Sequence, residues 1–267
     1  MRNWNLVIMG MKGSGKSVLS KHLLSYAPRA IVLDRMGEYT DGAIFNDWRE
    51  SVEFWRAHLA ADWHIIFRGH NPAAHLAWID VLTDAQLKAA EMGQPLPPVA
   101  LFVEESSFYS NTHNIGPILD ALYTKGRHGY ISVVSIVQRL TQIHPIIRDQ
   151  SDEWITLRLR SFPSVVAERF TREDLERIPT LRTLTPDLTP RYGVHYLTDS
   201  GESDIFGPWA RTLRERSAQR IYKDVPGAGN RPGSIGLDSI ETAPVYTTGQ
   251  PLPGRSNNHK RGFSDGD

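Results

Sequence analysis

An α/β fold with a mostly parallel sheet flanked by helices is what this sequence predicts, and three observations predict it. Short apolar runs alternate with helical stretches through the first 160 residues. A glycine-rich turn joins the first apolar run directly to a helix. The chain, at 267 residues, is long enough for one large domain with a full core. Strands that alternate with helices are joined by crossovers, so they lie parallel, with ligands at their carboxyl ends.

The elements follow in order. Residues 6–9 are an apolar first strand, and residues 17–26 form the helix after the glycine turn. Residues 30–33 are a buried strand closed by Asp34-Arg35-Met36-Gly37-Glu38-Tyr39. Residues 47–60 are helical in composition and 64–67 are strand-like. Residues 72–92 place apolar side chains at helical spacing, and the Gly- and Pro-rich stretch 93–98 breaks that pattern. A strand over 99–103, a helix over 115–125, a strongly apolar strand over 131–137 and a further strand over 154–159 complete the alternation.

Residues 208–223 read as a helix carrying Arg211, Arg214, Arg216, Arg220 and Lys223, either a solvated face or a nucleic-acid or partner contact. Residues 224–267 are rich in Gly, Pro, Ser, Thr and Asn, too poor in apolar residues to offset their ordering entropy. The predicted organisation is therefore a domain over 1–223 and a flexible Gly/Pro/Ser-rich tail over 224–267.

The chemistry begins at Gly10-Met11-Lys12-Gly13-Ser14-Gly15-Lys16-Ser17, a complete Walker A element between a strand and a helix. Gly10, Gly13 and Gly15 let backbone N–H groups wrap a di- or triphosphate where a Cβ would clash. Lys16 reaches the β- and γ-phosphates, Ser17 ligates Mg²⁺, and the helix N-terminus through Val18 adds positive potential. ATP with Mg²⁺ is the expected ligand.

Val99-Ala100-Leu101-Phe102-Val103-Glu104-Glu105 has the form of a Walker B strand ending in two carboxylates. Successive strand residues point to opposite faces, so the two divide the work: Glu104 toward the metal, Glu105 toward the attacking water. Many P-loop enzymes carry Asp where Glu104 stands. Gln138, immediately after the next strand, could sense the γ-phosphate and orient water, since an amide both donates and accepts. Arg127, in Lys125-Gly126-Arg127-His128-Gly129, lies between a helix and a strand, on the flank of the domain. It is either a solvated loop residue or a finger offered to a neighbouring subunit.

Composition excludes several classes. Thirty basic and thirty acidic residues cancel, so a nucleic-acid contact would have to be a local patch or arise on oligomerisation. With no cysteine there are no disulfides or thiolate metal sites. No apolar run approaches the ~20 residues needed to span a bilayer, and no signal peptide is evident, which predicts a soluble protein. His64, His70 and His75 do not form a helical zinc pair and are expected to be solvated or hydrogen-bonded.

Residues 123–139, YTKGRHGYISVVSIVQR, resemble the arginine-finger and sensor segment of the HerA–FtsK superfamily of ring-forming DNA-translocating ATPases. In that family a basic residue and Gly precede an apolar strand ending Thr-Gln-Arg; here Val137 replaces Thr while Gln138 and Arg139 are in place. Residues 31–39, IVLDRMGEY, also look like the HerA-type second strand ending Asp-Pro-x-Gly-Glu-Tyr, with Arg35 where Pro is common. The resemblance spans about residues 4–200, with four elements in the right order.

The resemblance implies a P-loop NTPase fold of the ASCE/RecA-like kind and a homo-oligomeric, hexameric ring that drives duplex DNA through its channel without reading sequence. It makes Arg127 a finger acting on the next subunit's ATP. The loop 107–115 either faces the channel, with Tyr109, Asn111 and His113 on backbone phosphates, or is an ordinary surface connection. The absence of a β-barrel, membrane helices or a winged helix makes the chain look most like the minimal genome-packaging ATPases of tailless viruses with internal membranes. That implies a virion packaging vertex or the host cytoplasm, and a capsid, portal or membrane protein met through the C-terminal region. Two rivals stand beside it: a P-loop small-molecule kinase, which the adjacent Glu pair disfavours, and an ATP-dependent assembly or scaffold switch.

Overall fold

The computed structural model describes residues 4–161, 163–176 and 193–206. Among these, nine strands form one sheet: β1 (Asn5–Met9), β2 (Arg29–Leu33), β3 (Ala43–Phe45), β4 (Trp63–Phe67), β5 (Val99–Val103), β6 (Ile131–Val137), β7 (Glu153–Thr156), β8 (Gly193–Leu197) and β9 (Ser203–Phe206). Their spatial order is β3-β4-β2-β5-β6-β1-β7-β8-β9. Pairing is parallel from β3 to β7, and β8 pairs antiparallel with both β7 and β9, so that among the described strands β8 runs against the rest. The helices are α1 (Lys16–Leu24), α2 (Trp48–Ala57), α3 (Pro72–Glu91), α4 (Pro117–Lys125) and the short α5 (Pro145–Asp149), α6 (Ser164–Ala167) and α7 (Arg172–Glu176).

Strands covered on both faces read as continuous apolar runs, because each alternate side chain meets a different helical layer. In β1, Leu6 and Ile8 pack with Leu19 and Leu23 of α1, while Val7 and Met9 join the layer beneath α2, α3 and α4. That second layer holds the largest side chains, with Trp55 and Trp78 tilted against each other 5.6 Å apart. All seven residues of β6 are buried, which is why it stands near the middle, between β1 and β5.

Helix starts follow their caps. The Asp47 side chain accepts from the Arg49 N–H and the Asn71 side chain from the Ala73 N–H, with Pro72 in the first turn of α3. The helix expected from residue 115 starts at Pro117, because Gly116 turns the chain at φ 71°. The strand expected over 154–159 pairs over Glu153–Thr156, although the Leu157 N–H still donates to Met9 O (2.8 Å). β3, β8, β9 and α5 to α7 add to the elements expected from sequence. The helix expected over 208–223 and the tail over 224–267 lie outside the described residues.

Candidate functional site

At the carboxyl end of β1 the glycines set the shape of the loop. Gly13 (φ 78°) and Gly15 (φ 101°) sit in the left-handed region, which costs a residue bearing a Cβ roughly 1–2 kcal/mol. Gly10 is required for space: a Cβ there would stand 2.4 Å from Ser14 Oγ and 2.9 Å from Leu157 Cβ. The Met11 N–H donates to Arg158 O (2.8 Å) and the Ser14 N–H to Met11 O (3.1 Å), tying the loop to the chain beyond β7. Lys12 and Val18 are exposed, while Met11, Ser14, Gly15, Lys16 and Ser17 are half-buried. Ser14 Oγ is buried without a hydrogen-bond partner among the described residues.

Lys16 Nζ donates to the carbonyls of Gly10 (2.8 Å) and Met11 (3.2 Å). Burial lowers its pKa, and the charges of Glu105, Glu38 and Glu104 oppose that shift. All three carboxylates therefore act on the lysine of the phosphate loop.

β5 delivers the acidic pair. Glu104 is only 6 % exposed, and its Oε2 has no hydrogen-bond partner among the described residues. Burial, with the charges of Glu38 and Asp34 added, pushes its carboxyl up to about 8. A buried, crowded carboxylate oxygen without a donor fits a cation ligand. Glu105 leaves the strand with φ 53° and ψ 63°, a conformation a non-glycine residue holds only when its surroundings enforce it. Both its oxygens are engaged: Oε2 accepts from Gln138 Nε2 (2.9 Å) and Oε1 from Ser107 Oγ (2.5 Å). Because β6 separates β1 from β5, Gln138 stands between the phosphate loop and the acidic pair. The sequence reading did not single out Ser107; a hydroxyl two residues after a carboxylate is too common a turn device to mark it.

A second missed contribution comes from the loop after β2. Asp34, fully buried, accepts from the backbone N–H groups of Glu38 (2.9 Å) and Tyr39 (3.0 Å) and pairs with Arg68 Nε (3.3 Å). Gly37 makes the turn at φ 71°. The loop is thereby held so that the Glu38 charge reaches Lys16 and Glu104. Arg35, in the position where Pro is common in the resembling family, stacks its guanidinium 3.5 Å from the Phe108 ring centroid.

The loop after β5 is partly internal. Tyr109, expected to touch phosphates, instead donates its hydroxyl to His75 Nδ1, and His75 Nε2–H donates to Gly69 O (2.5 Å). An aromatic ring beside a buried imidazole gains more from this contact than from solvent. Asn111 and His113 are exposed, but Asn111 Oδ1 already accepts from the His113 and Asn114 N–H groups, both at 2.9 Å.

Arg127 lies on a 3₁₀ turn (Gly126–Gly129) at the amino end of β6, at the opposite end of the strands from the phosphate loop. β6 is seven residues long, so roughly 20 Å separates Arg127 from the strand's other end. Arg127 is exposed and has no side-chain hydrogen bond or ion pair among the described residues. A Cβ on Gly129 would stand 3.0 Å from Gln86 Cβ, so the turn is pressed onto α3. His64 bonds to the carbonyls of Asp41 and Ala27, His70 is exposed, and no group of three or more His, Cys, Asp or Glu among the described residues is arranged to hold a metal.

No protein-family profile and no curated protein matches the chain. Solved structures do match. The genome-packaging NTPase B204 from Sulfolobus turreted icosahedral virus 2, in complex with ATPγS, is similar at TM-score 0.57 and 19% identity over 78% of this chain and 98% of that one. Its AMP complex matches at TM-score 0.56 and 18% identity, over 76% and 96%. B204, the DNA-packaging ATPase from Sulfolobus turreted icosahedral virus, matches at TM-score 0.50 and 20% identity, over 77% and 98%. At these identities the likeness shows a shared fold, that of a P-loop NTPase with a mostly parallel sheet flanked by helices.

Proposed function

We propose that this chain is an ATPase that drives DNA translocation, packaging a viral genome into a preformed capsid. The observation that carries the reading is the Gln138–Glu105 hydrogen bond beside a complete phosphate loop. A glutamate and an amide from adjacent strand tips suit a water held for attack on a γ-phosphate, whereas a kinase must hold a second substrate there. The fold shared with structures described as genome-packaging NTPases supports the packaging assignment.

The loop of Gly10, Met11, Lys12, Gly13, Ser14, Gly15, Lys16, Ser17 and Val18 holds the phosphates of ATP. Ser17 and Glu104 are the residues that fit Mg²⁺, an ion that usually takes one or two protein ligands beside phosphates and waters. When bound, the ion offsets charge on the phosphate oxygens. Glu105 polarises the attacking water, Gln138 holds it in line, and Lys16 neutralises the γ-phosphate. Arg127, remote from its own phosphate loop, acts on the neighbour's ATP in a hexameric ring. The exposed part of the loop 107–115, at Asn111 and His113, meets the backbone of duplex DNA, so binding is independent of sequence and sensitive to salt. The C-terminal region contacts a capsid, portal or membrane protein. No helix among the described residues is long and apolar enough to cross a membrane, which suits work at the packaging vertex of a virion or in the host cytoplasm.

The test is ATP hydrolysis with and without duplex DNA, alongside the mass in solution with ATP. Strong stimulation by DNA and a ring are expected. Slow hydrolysis indifferent to DNA, responding to a protein partner, would replace the motor with the assembly switch.

A further inference from the structure

Glu105, a non-glycine residue at φ 53°, needs its surroundings to hold it there, and two side chains just beyond it reach to other elements. Tyr109 donates its hydroxyl to His75 on α3, a fully buried anchor. Phe108, half-buried, carries the Arg35 guanidinium 3.5 Å from its ring centroid and meets the Tyr109 ring edge-on at 5.1 Å. Arg35 is exposed, and its side chain makes no hydrogen bond or ion pair among the described residues. The stack on Phe108 is what fixes the guanidinium.

The loop that carries Arg35 is tied to the head of α1. Asp34 accepts from the Glu38 and Tyr39 N–H groups, and Arg68 Nη2 donates to Tyr39 O (2.5 Å). The Tyr39 hydroxyl donates to Ser20 Oγ, whose own proton goes to Ser17 O (3.1 Å). A continuous set of contacts therefore runs from Ser17 through Ser20 and Tyr39 to Arg35. From Arg35 it passes to Phe108 and the adjoining Ser107, whose hydroxyl donates to Glu105 Oε1 (2.5 Å). Both ends of the set lie at the phosphate site.

We propose that the Arg35–Phe108 stack is a clasp that sets the 3₁₀ turn Ser106–Phe108 and so positions Glu105 for hydrolysis, with Arg35 a positioning residue. The inference rests on the reading of Glu105 as the group that polarises the attacking water. A guanidinium suits the task, because its plane lies flat on an aromatic face and its charge is drawn to the ring. Proline, common at this position in the resembling family, has no charge to offer a ring. The clasp is thus a property of this chain's own departure from that pattern.

The test measures single-turnover hydrolysis and equilibrium ATP binding on the full chain, at a temperature where melting curves show every variant folded. Arg35→Ala and Phe108→Leu should each slow hydrolysis about fivefold, with ATP affinity within about twofold of the unaltered protein. The double variant should be no slower than either single one, since the two side chains act as a pair. Arg35→Lys, which keeps a cation over the ring, should recover at least about half the rate. In a Glu105→Gln background Arg35→Ala should slow hydrolysis no further, an outcome that a merely structural role would not give. Losses that multiply in the double variant would overturn the clasp. Glu105→Gln slow beside an unimpaired Arg35→Ala would overturn the clasp alone, whereas normal turnover in Glu105→Gln would overturn the reading of Glu105 and this inference with it.

Discussion

Gln138 Nε2 donates to Glu105 Oε2 across 2.9 Å, joining the tips of adjacent strands β6 and β5 next to the phosphate loop on β1. Neither side chain is placed by its own strand alone. Glu105 needs the left-handed turn after β5, and Gln138 needs β6 inserted between the two motif-bearing strands.

Glu105→Gln should leave ATP affinity within about threefold and lower turnover by at least about 10²-fold, because an amide cannot take the water's proton. Single-turnover hydrolysis beside equilibrium binding of ATP checks this. Normal turnover in that variant would remove Glu105 from the chemistry.

Ser107→Ala should lower kcat about tenfold with KM unchanged, since the hydroxyl orients Glu105 and touches no phosphate. Ser107→Thr, which keeps the donor, should restore most of the rate. A loss that threonine fails to rescue would point to a packing defect.

Gly15→Ala should cost roughly 1–2 kcal/mol of stability through its φ of 101° and should abolish the ATP-dependent rise in melting temperature. Thermal unfolding with and without Mg-ATP reads both effects. A retained ATP shift would mean that the loop tolerates a Cβ and does not wrap the phosphates.

Arg127→Ala should reduce turnover by about 10³-fold or more while leaving ATP binding intact. Mixing it with a Lys16→Ala variant should recover part of the activity, because one kind of interface then carries both an intact loop and an intact arginine. Failure of the mixture to recover, with rings still formed, would exclude action between subunits.

Burial lowers the pKa of His75 below the usual 6.5, with Arg35 and His70 adding to the shift and the Gly69 carbonyl opposing it. Tyr109 and Phe67 are the other groups against its ring. The folded protein holds this proton less tightly than the unfolded chain. The stability it contributes is therefore full above about pH 6.5 and is lost as the pH falls below that value. Replacing His75 with Gln should destabilise the protein at pH 8 and close that gap toward pH 5, as followed by urea unfolding. A gap of constant size would show that His75 does not titrate in this range.

The phosphate loop, the acidic pair and the apolar core strands were legible because each is written in consecutive residues. A glycine pattern, two adjacent carboxylates and runs such as 131–137 need no partner to be read. β3, three residues long, was not legible, since so short a run shows neither alternation nor a buried stretch. Arg35 read only as a departure from the resembling family until its guanidinium was found on Phe108, a residue 73 positions away. Tyr109 read as a channel residue because its partner, His75, lies on another element.

The sequence by itself determined the α/β alternation, the loop that can wrap a triphosphate and the residue types available for hydrolysis, all consequences of local conformational preference and side-chain chemistry. Only the tertiary structure decided that β6 lies between β1 and β5, that Ser107 and Gln138 converge on Glu105, that Glu38 is held near Lys16 and that Arg35 stacks on Phe108. Those relations come from strand order and crossover packing, where residues far apart in the chain become neighbours because the helices must cover both faces of one sheet.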